Sequence, residues 1–225
     1  MCGRFIQCTS GESLTQRFHL SATPNIAPRY NVAPSQPVGI VRATEGGGRE
    51  WALARWGLIP VWAPEPQTPY HTINARAETV ADQPVYRQAF RKRRCLIPAE
   101  GFYEWQKRDA HKQPYCIAPA DGEPFAFAGL WERWERDGQI LESCTILVTQ
   151  ANEVIAPIHD RMPVILDVAA ETRWLDPTVT DPAALRPLLV PYPSERLRLW
   201  PVSPQVNNPR HEGPMLRTPL ATPVS

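Results

Sequence analysis

The first residues of the chain, Met1-Cys2-Gly3-Arg4, place a cysteine where removal of Met1 would make it the terminal residue. A terminal cysteine carries an amine and a thiol on adjacent carbons, and an amine pKa near ~7.7–8.0 leaves a neutral fraction at physiological pH. Such an amine attacks an aldehyde to give an imine, and the thiol then closes a thiazolidine ring. The amine can also activate its own thiol for amide hydrolysis. Cys2 is therefore a candidate nucleophile of either kind, unless it is simply the second residue of the chain.

Composition sets limits on the partner and the compartment. The formal charge of +1 excludes a strong overall attraction to nucleic acid, so any binding of DNA must come from a local patch. No secretory signal precedes the first motif, which predicts a reducing, cytoplasmic location, associated with the nucleoid if the source is bacterial. Five cysteines without a C-x-x-C spacing argue against a disulfide framework or a zinc site. We expect no metal and no cofactor.

The elements that must position Cys2 are predicted to be mostly strands. Residues 38–42 and 50–58 flank a glycine triplet and predict a hairpin. Seven more strand-like runs follow, whereas helical patterns are short and lie at 11–20, 84–92, 168–175 and 182–188. The pattern predicts an α+β fold with a mainly antiparallel, strongly curved sheet, barrel-like or sandwich-like, and short peripheral helices. We expect one domain over residues 1–215 and a flexible tail over 216–225.

Six further segments along the chain form a pattern that is more informative than any one of them. They are RYNVAP at 29–34, GLIPVW at 57–62, INARAE at 73–78, AEGFYEW at 99–105, IHDRMP at 158–163 and WPVS at 200–203. In this order and over nearly the whole chain, the segments resemble the SOS-response-associated peptidase family. Each segment alone is a weak signal, but the ordered set is highly specific.

The resemblance implies that the protein crosslinks itself to abasic sites in single-stranded DNA through its N-terminal cysteine once the initiator methionine is removed. Cys2 matches the crosslinking nucleophile, and Asn74 matches the asparagine beside the reacting sugar. Glu104 matches the catalytic glutamate, and His159 matches the histidine of the same pocket. The resemblance also implies peptidase activity, which these residues would limit to removal of Met1.

The resemblance extends to residues that hold DNA. Arg4, Arg76 and Arg161 match positions that bind the backbone, while Trp62 and Trp105 resemble aromatic residues placed against a kinked strand. The basic residues between 87 and 94 align poorly with the family and stay unassigned. The expected partner is single-stranded DNA with abasic sites, and we expect no association with a membrane. We expect the protein to be a monomer. Contacts with replication-fork proteins are possible under the resemblance.

The residue types suit this chemistry on their own terms. Forming an imine requires a proton donor to the leaving hydroxyl and an acceptor for the amine proton, and Glu104 could serve as both if its aromatic neighbours raise its pKa towards neutrality. His159 titrates in a useful range for proton transfer. Asn74 cannot titrate, but its amide donates and accepts hydrogen bonds, so it suits orientation of the opened sugar.

Two other functions remain compatible with parts of the sequence. Glutamine amidotransferase-like domains also begin with Met-Cys-Gly and would use the Cys2 amine to activate the thiol against an amide. A non-catalytic reader of modified or single-stranded DNA would use the same arginine and tryptophan residues and would not need Cys2. The first alternative leaves the other segments unexplained.

Overall fold

A computed structural model of the protein describes residues 2–66, 72–108 and 111–220, without the side chain of residue 108. Its strands are β1 Phe5–Gln7, β2 Arg29–Val32, β3 Pro37–Ala43, β4 Arg49–Trp56, β5 Asn74–Arg76, β6 Arg94–Ala99, β7 Gly101–Arg108, β8 His111–Pro119, β9 Phe125–Arg136, β10 Gln139–Gln150, β11 Arg161–Pro163, β12 Ile165–Leu166 and β13 Leu197–Pro201. Its helices are α1 Gly11–Phe18, α2 Arg87–Lys92, α3 Val168–Leu175 and α4 Pro182–Leu185. Short 3-10 helices span Arg186–Leu188, Ser194–Arg196, Pro204–Asn207 and Pro214–Arg217.

The strands form two sheets. A five-stranded sheet has the order β13-β8-β7-β1-β2, and an eight-stranded sheet follows the path β11-β10-β4-β3-β6-β9-β12. Because β9 also pairs with β10, the strands β10, β4, β3, β6 and β9 close into a ring. Most pairs are antiparallel, although β10 runs parallel to β4 and β5. The predicted α+β class with a curved, barrel-like sheet is confirmed.

One face of the closed ring packs against the five-stranded sheet. Ile40, Ile97 and Phe127 belong to the same buried cluster as Phe5 and Phe102 of that sheet. The ring centroid of Phe127 lies 6.1 Å from that of Phe5 and 5.9 Å from that of Phe102, in edge-to-face geometry. This core fixes the five-stranded sheet, which carries Glu104, against the ring.

The other face of the ring is covered by helices. Val41 of β3 and Leu96 of β6 belong to a second buried cluster, together with Phe90 of α2 and Trp174 of α3. The residues next to them, Ile40 and Ile97, face the first cluster. Asp167 caps α3 by accepting from the Ala170 N–H at 2.8 Å. The alternation of buried residues between two apolar layers explains why these strands read as continuous hydrophobic runs.

A buried glutamine anchors β1 to the ring. The Gln7 side-chain amide donates to the carbonyls of Gly39 at 3.0 Å and Pro98 at 2.9 Å, and its oxygen accepts from the Gly39 N–H at 2.8 Å. All hydrogen-bonding groups of the amide head except one lone pair are thereby used, so the short strand is held in register. The position of Cys2 follows from this anchor.

The C-terminal segment lies across β13. The sequence assigns 216–225 to a flexible tail, whereas Leu216 is buried and the Leu220 N–H donates to the Pro201 carbonyl at 2.9 Å. The indole of Trp200 also donates to the Arg217 carbonyl at 2.7 Å. Residues 216–220 are thus docked on the five-stranded sheet, while 221–225, like Met1, lie outside the described residues. None of the described helices is long and apolar enough to cross a bilayer.

Candidate active site

Cys2 and Glu104 are brought together by the pairing of β1 with β7. Phe5 lies opposite Phe102 in antiparallel register, and the Tyr103 N–H donates to the Arg4 carbonyl at 2.9 Å. Continuing this register towards the N-terminus carries the chain past Glu104. Both side chains are buried, with 0% of Cys2 and 3% of Glu104 exposed.

Burial changes the protonation of both groups. It raises the pKa of the Glu104 carboxyl from 4.5 to about 7, and the charge of the nearby Asp160 adds to the effect. Burial, followed by the Glu104 charge, also raises the pKa of the Cys2 thiol far above its ordinary value. Near neutral pH the site therefore holds a protonated thiol beside a carboxyl group that can give or take a proton.

The loop between β10 and β11 carries His159 to the same place. The Ala151 N–H donates to the Asp160 carbonyl at 3.0 Å and closes the base of the loop. On β7, two residues beyond Glu104, the Gln106 side-chain amide donates to the Pro157 carbonyl at 3.2 Å. This bond ties the loop to the strand that carries Glu104.

The tautomer of His159 follows from its surroundings. Burial lowers the pKa of the ring, although the neighbouring Asp160 carboxylate acts in the opposite direction. A neutral ring accepts from the Arg161 N–H through Nδ1 at 3.0 Å, which leaves the proton on Nε2. Nδ1 also lies 2.9 Å from Asp160 Oδ1, so protonation would give this carboxylate a donor. The ring can thus exchange a proton with little movement.

Asn74 has an unusual environment on β5. Its side chain is buried, yet neither its nitrogen nor its oxygen has a hydrogen-bond partner within the described residues. The backbone carbonyl of Asn74 accepts a hydrogen bond from the Tyr86 hydroxyl at 3.2 Å, which fixes the backbone at this position. Leaving a buried amide without partners costs about 1–3 kcal/mol for each group. Such a group is suited to a polar ligand.

β10 links Asn74 to the histidine loop. Ile146 of this strand pairs with Asn74, and Gln150 pairs with Arg161 at the end of the loop. At a rise of about 3.3 Å per residue, the four steps from Ile146 to Gln150 span about 13 Å. The four predicted catalytic residues are therefore positioned by β1, β7, β10 and the elements that pair with them.

The three arginines predicted to hold DNA differ in their engagement. Arg4 is half-buried, and its Nη1 donates to Asn31 Oδ1 at 2.8 Å and to the Val206 carbonyl at 2.7 Å. Arg161 forms an ion pair with Glu78 at 2.5 Å. Arg76 is exposed and forms no ion pair with another described residue. Of these three arginines, Arg76 has the guanidinium group that is most accessible to a phosphate.

The two predicted aromatic contacts are also unequal. Trp62 lies in a turn and is 53% exposed, which is uncommon for an indole without a partner surface. Trp105 is half-buried, with its indole N–H donating to Asn207 Oδ1 at 2.7 Å and the Arg4 guanidinium 5.8 Å from its ring centroid. Sequence reasoning missed Asn207, and it missed Asn31 although that residue lies in the RYNVAP segment.

The structure divides the basic run that the sequence left unassigned. Arg94 is buried and donates to four backbone carbonyls, those of Phe90, Arg91, Trp174 and Asp176. Arg93 is paired with Glu132 at 2.8 Å. Three exposed basic residues of α2 remain, namely Arg87, Arg91 and Lys92. Within this run, only these three present an exposed charge that no ion pair among the described residues compensates.

Comparison with known proteins places this arrangement in a family. A family model described as SOS response associated peptidase (SRAP) matches residues 1–209. The chain belongs to this family. The abasic site processing protein YoqW of Bacillus subtilis is 41% identical over 221 residues, which cover 96% of this chain and 98% of that protein. The abasic site processing protein HMCES of Xenopus tropicalis is 33% identical over 219 residues, covering 83% of this chain and 64% of that protein.

A solved structure of this fold also exists. A crystal structure of a protein from Bacteroides thetaiotaomicron matches with a TM-score of 0.88 and 26% identity, covering 98% of this chain and all of that one. The family resemblance inferred from the six sequence segments is therefore confirmed, and the fold is shared with a protein whose sequence has diverged widely.

Proposed function

We propose that this chain, once Met1 is removed, forms a covalent thiazolidine crosslink between Cys2 and an abasic site in single-stranded DNA, shielding the lesion during the DNA damage response. The relatives named abasic site processing proteins support the lesion as the target. The observation that carries the proposal is the buried carboxyl of Glu104 beside Cys2, with its pKa raised to about 7 by burial. We assign peptidase activity to the Met1–Cys2 bond alone.

In the first step the Cys2 amine attacks the aldehyde carbon of the ring-opened sugar. The new C–N bond gives a carbinolamine, and Glu104 in its acid form protonates the hydroxyl, which leaves as water. The resulting iminium loses its proton to the Glu104 carboxylate. A carboxyl with a pKa near the working pH suits both transfers, because it is populated in both forms.

In the second step the Cys2 sulfur bonds to the imine carbon. The thiol proton passes to the nitrogen, so the ring forms with one water molecule released in total. The side chain of Asn74 has a free donor and a free acceptor within the described residues, which suits the sugar hydroxyls and orients the aldehyde. The Nε2–H of neutral His159 would assist opening of the sugar ring.

Contacts to DNA in this proposal come mainly from exposed groups. Arg76 would bind a phosphate, and Trp62 would stack on a base, which contributes about 1–3 kcal/mol without sequence preference. Arg161 would reach a phosphate by leaving Glu78, whereas Arg4 would act chiefly by holding Trp105. Stacking requires unpaired bases, which favours single strands. A monomeric state and contacts with replication-fork proteins stay predictions.

The test mixes the mature protein with a single-stranded oligonucleotide that contains one abasic site and resolves the products on a denaturing gel. Intact mass spectrometry first confirms that Met1 is absent. We expect a shifted band that Cys2→Ser abolishes and that Cys8→Ser, a matched control outside the site, leaves unchanged. A full yield with Cys2→Ser would refute the thiazolidine.

The same samples distinguish the alternatives. Glutaminase activity without DNA would favour an amidohydrolase. Tight binding of undamaged single strands without any covalent product would favour a non-catalytic reader.

A further inference from the structure

A cavity in the described part of the protein lies outside the candidate active site. It measures about 500 Å³ and opens between β2, β13 and the 3-10 helix Pro214–Arg217. Its walls include Tyr30, Arg198, Trp200, Pro214 and Arg217. This volume falls within the range of about 300–1,000 Å³ that small-molecule sites occupy.

The cavity combines aromatic surface with uncompensated positive charge. The Arg198 guanidinium lies 5.3 Å from the ring centroid of Trp200, and Arg217 Nη1 lies 3.9 Å from the Cys8 sulfur. In the described part of the chain, no ion pair joins Arg198 or Arg217 to a carboxylate. The chemistry favours a ligand with a planar ring and a negative group.

Nearby carboxylates are engaged elsewhere. Glu212 accepts from the Tyr30 N–H at 2.7 Å, and Glu100 accepts from the Thr9 hydroxyl at 2.5 Å and from the Cys8 N–H. Neither carboxylate forms an ion pair with Arg198 or Arg217 among the described residues, so the two guanidinium groups can accept an anionic ligand.

The cavity lies on the same face of the five-stranded sheet as Trp105. Trp200 pairs with Cys116 of β8, which pairs with Tyr103 of β7, and Trp105 follows Tyr103 on the same face. Tyr30, Trp105 and Trp200 all pack against one apolar cluster on this face. Two strand spacings of about 4.8 Å and two residues of about 3.3 Å separate Trp200 from Trp105, which gives about 12 Å between their Cα atoms.

The segment that forms the cavity wall also supports the site. The Asn31 amide donates to the carbonyls of Asn208 at 3.0 Å and His211 at 2.9 Å, while its oxygen accepts from Arg4. Tyr30, beside Asn31 on β2, lines the cavity. Strand β2 therefore contributes both to the cavity, through Tyr30, and to the position of Arg4 and Trp105, through Asn31.

We propose that this cavity binds a nucleotide of the DNA strand that occupies the active site, with its base on Trp200 and its phosphate on Arg198 and Arg217. The inference rests on the proposed function for the identity of the strand. A free mononucleotide offers the same chemistry. A strand is favoured because the cavity and Trp105 share one face only about 12 Å apart.

The test compares wild type, Arg198→Glu and Arg173→Glu, an exposed arginine of α3 that serves as the matched control. Fluorescence anisotropy measures Kd for undamaged single strands of about 5 and about 15 nucleotides, lengths that span the usual footprints of single-strand binders. Crosslinking is measured on the same lengths with one abasic site. Deoxyadenosine monophosphate serves as the free-nucleotide probe.

We expect Arg198→Glu to weaken binding of the long strand about tenfold and to lower the slope of log Kd against log salt by about 0.7 for each phosphate that is no longer neutralised. Binding and crosslinking of the short strand should be unchanged, as should every value for Arg173→Glu. Equal affinity of wild type and Arg198→Glu for the long strand would overturn the proposal. So would an effect of Arg198→Glu on the mononucleotide alone.

Failure of the proposed function gives a different result. In that case neither wild type nor any variant forms a crosslink with a strand of either length. Arg198→Glu would still bind the long strand more weakly than wild type does, and this loss of affinity would still show that the cavity binds DNA.

Discussion

Replacing Glu104 with glutamine is expected to stabilise the folded protein at alkaline pH. The carboxyl is buried, and its pKa of about 7 lies above the ordinary 4.5. The folded state therefore holds the proton more tightly than the unfolded chain does. The stabilisation that results is fully present below pH 4.5 and is lost as the pH rises through about 7. Glutamine has a similar shape and no charge to lose.

The size of the effect follows from the two pKa values. The difference between 4.5 and about 7 corresponds to about 3 kcal/mol in the free energy of unfolding. The stability of Glu104→Gln relative to wild type should therefore increase by up to about 3 kcal/mol between about pH 4 and about pH 9. A difference in stability between the two proteins that stays the same at every pH would come from packing of the glutamine amide. The change of this difference with pH is therefore the quantity that reports the carboxyl group.

Urea unfolding followed by tryptophan fluorescence across this pH range provides the measurement. Glu153→Gln, an exposed glutamate of the histidine loop, is the matched control and should follow wild type at every pH. Parallel pH profiles for wild type and Glu104→Gln would show that the carboxyl titrates normally. That result would remove the basis for its role as a proton shuttle.

Three further substitutions test other parts of the site and its support. Asn74→Leu should raise the free energy of unfolding by about 1–2 kcal/mol, because it removes a buried amide without partners, and should slow crosslinking; a lower stability in chemical denaturation would mean that the amide is satisfied. Arg94→Met should lower the free energy of unfolding by about 3 kcal/mol or more, because it leaves buried backbone carbonyls without a hydrogen-bond donor. Arg91→Met should change the free energy of unfolding by less than about 0.5 kcal/mol; equal effects of the two substitutions would contradict a structural role for Arg94. Gln106→Leu should slow crosslinking in single-turnover assays while changing stability by less than about 1 kcal/mol, because it frees the histidine loop from β7; an unchanged rate would show that the loop is held in place without this bond.

The sequence predicted the parts of the fold whose signals are local. The hairpin of β3 and β4 has a glycine-rich turn between apolar strands, and helix α3 begins at an aspartate cap, so both were predicted within two residues of their observed bounds. The short strands β1, β2 and β5 were not predicted. Each has only three or four residues, and each is a strand because a distant segment pairs with it.

The same limit applies to the site. Cys2 and Asn74 lie next to or on the unpredicted strands β1 and β5, so only the family resemblance could bring them together before the structure was known. The partners of Arg4 and Arg94 include backbone carbonyls far away in the sequence, those of Val206 for Arg4 and of Trp174 for Arg94. No spacing in the sequence distinguishes these buried arginines from the exposed Arg76.

Burial of the Cys2 thiol determines the order of bond formation in the proposed reaction. Burial, followed by the Glu104 charge, raises the pKa of the thiol, so the sulfur is protonated and a weak nucleophile at neutral pH. A terminal amine with a pKa near ~7.7–8.0 is more available and attacks first. The sulfur then reacts only with the electrophilic carbon already held beside it. A crosslinking rate that rose about tenfold per pH unit up to about pH 9, as the thiolate fraction would, contradicts this order.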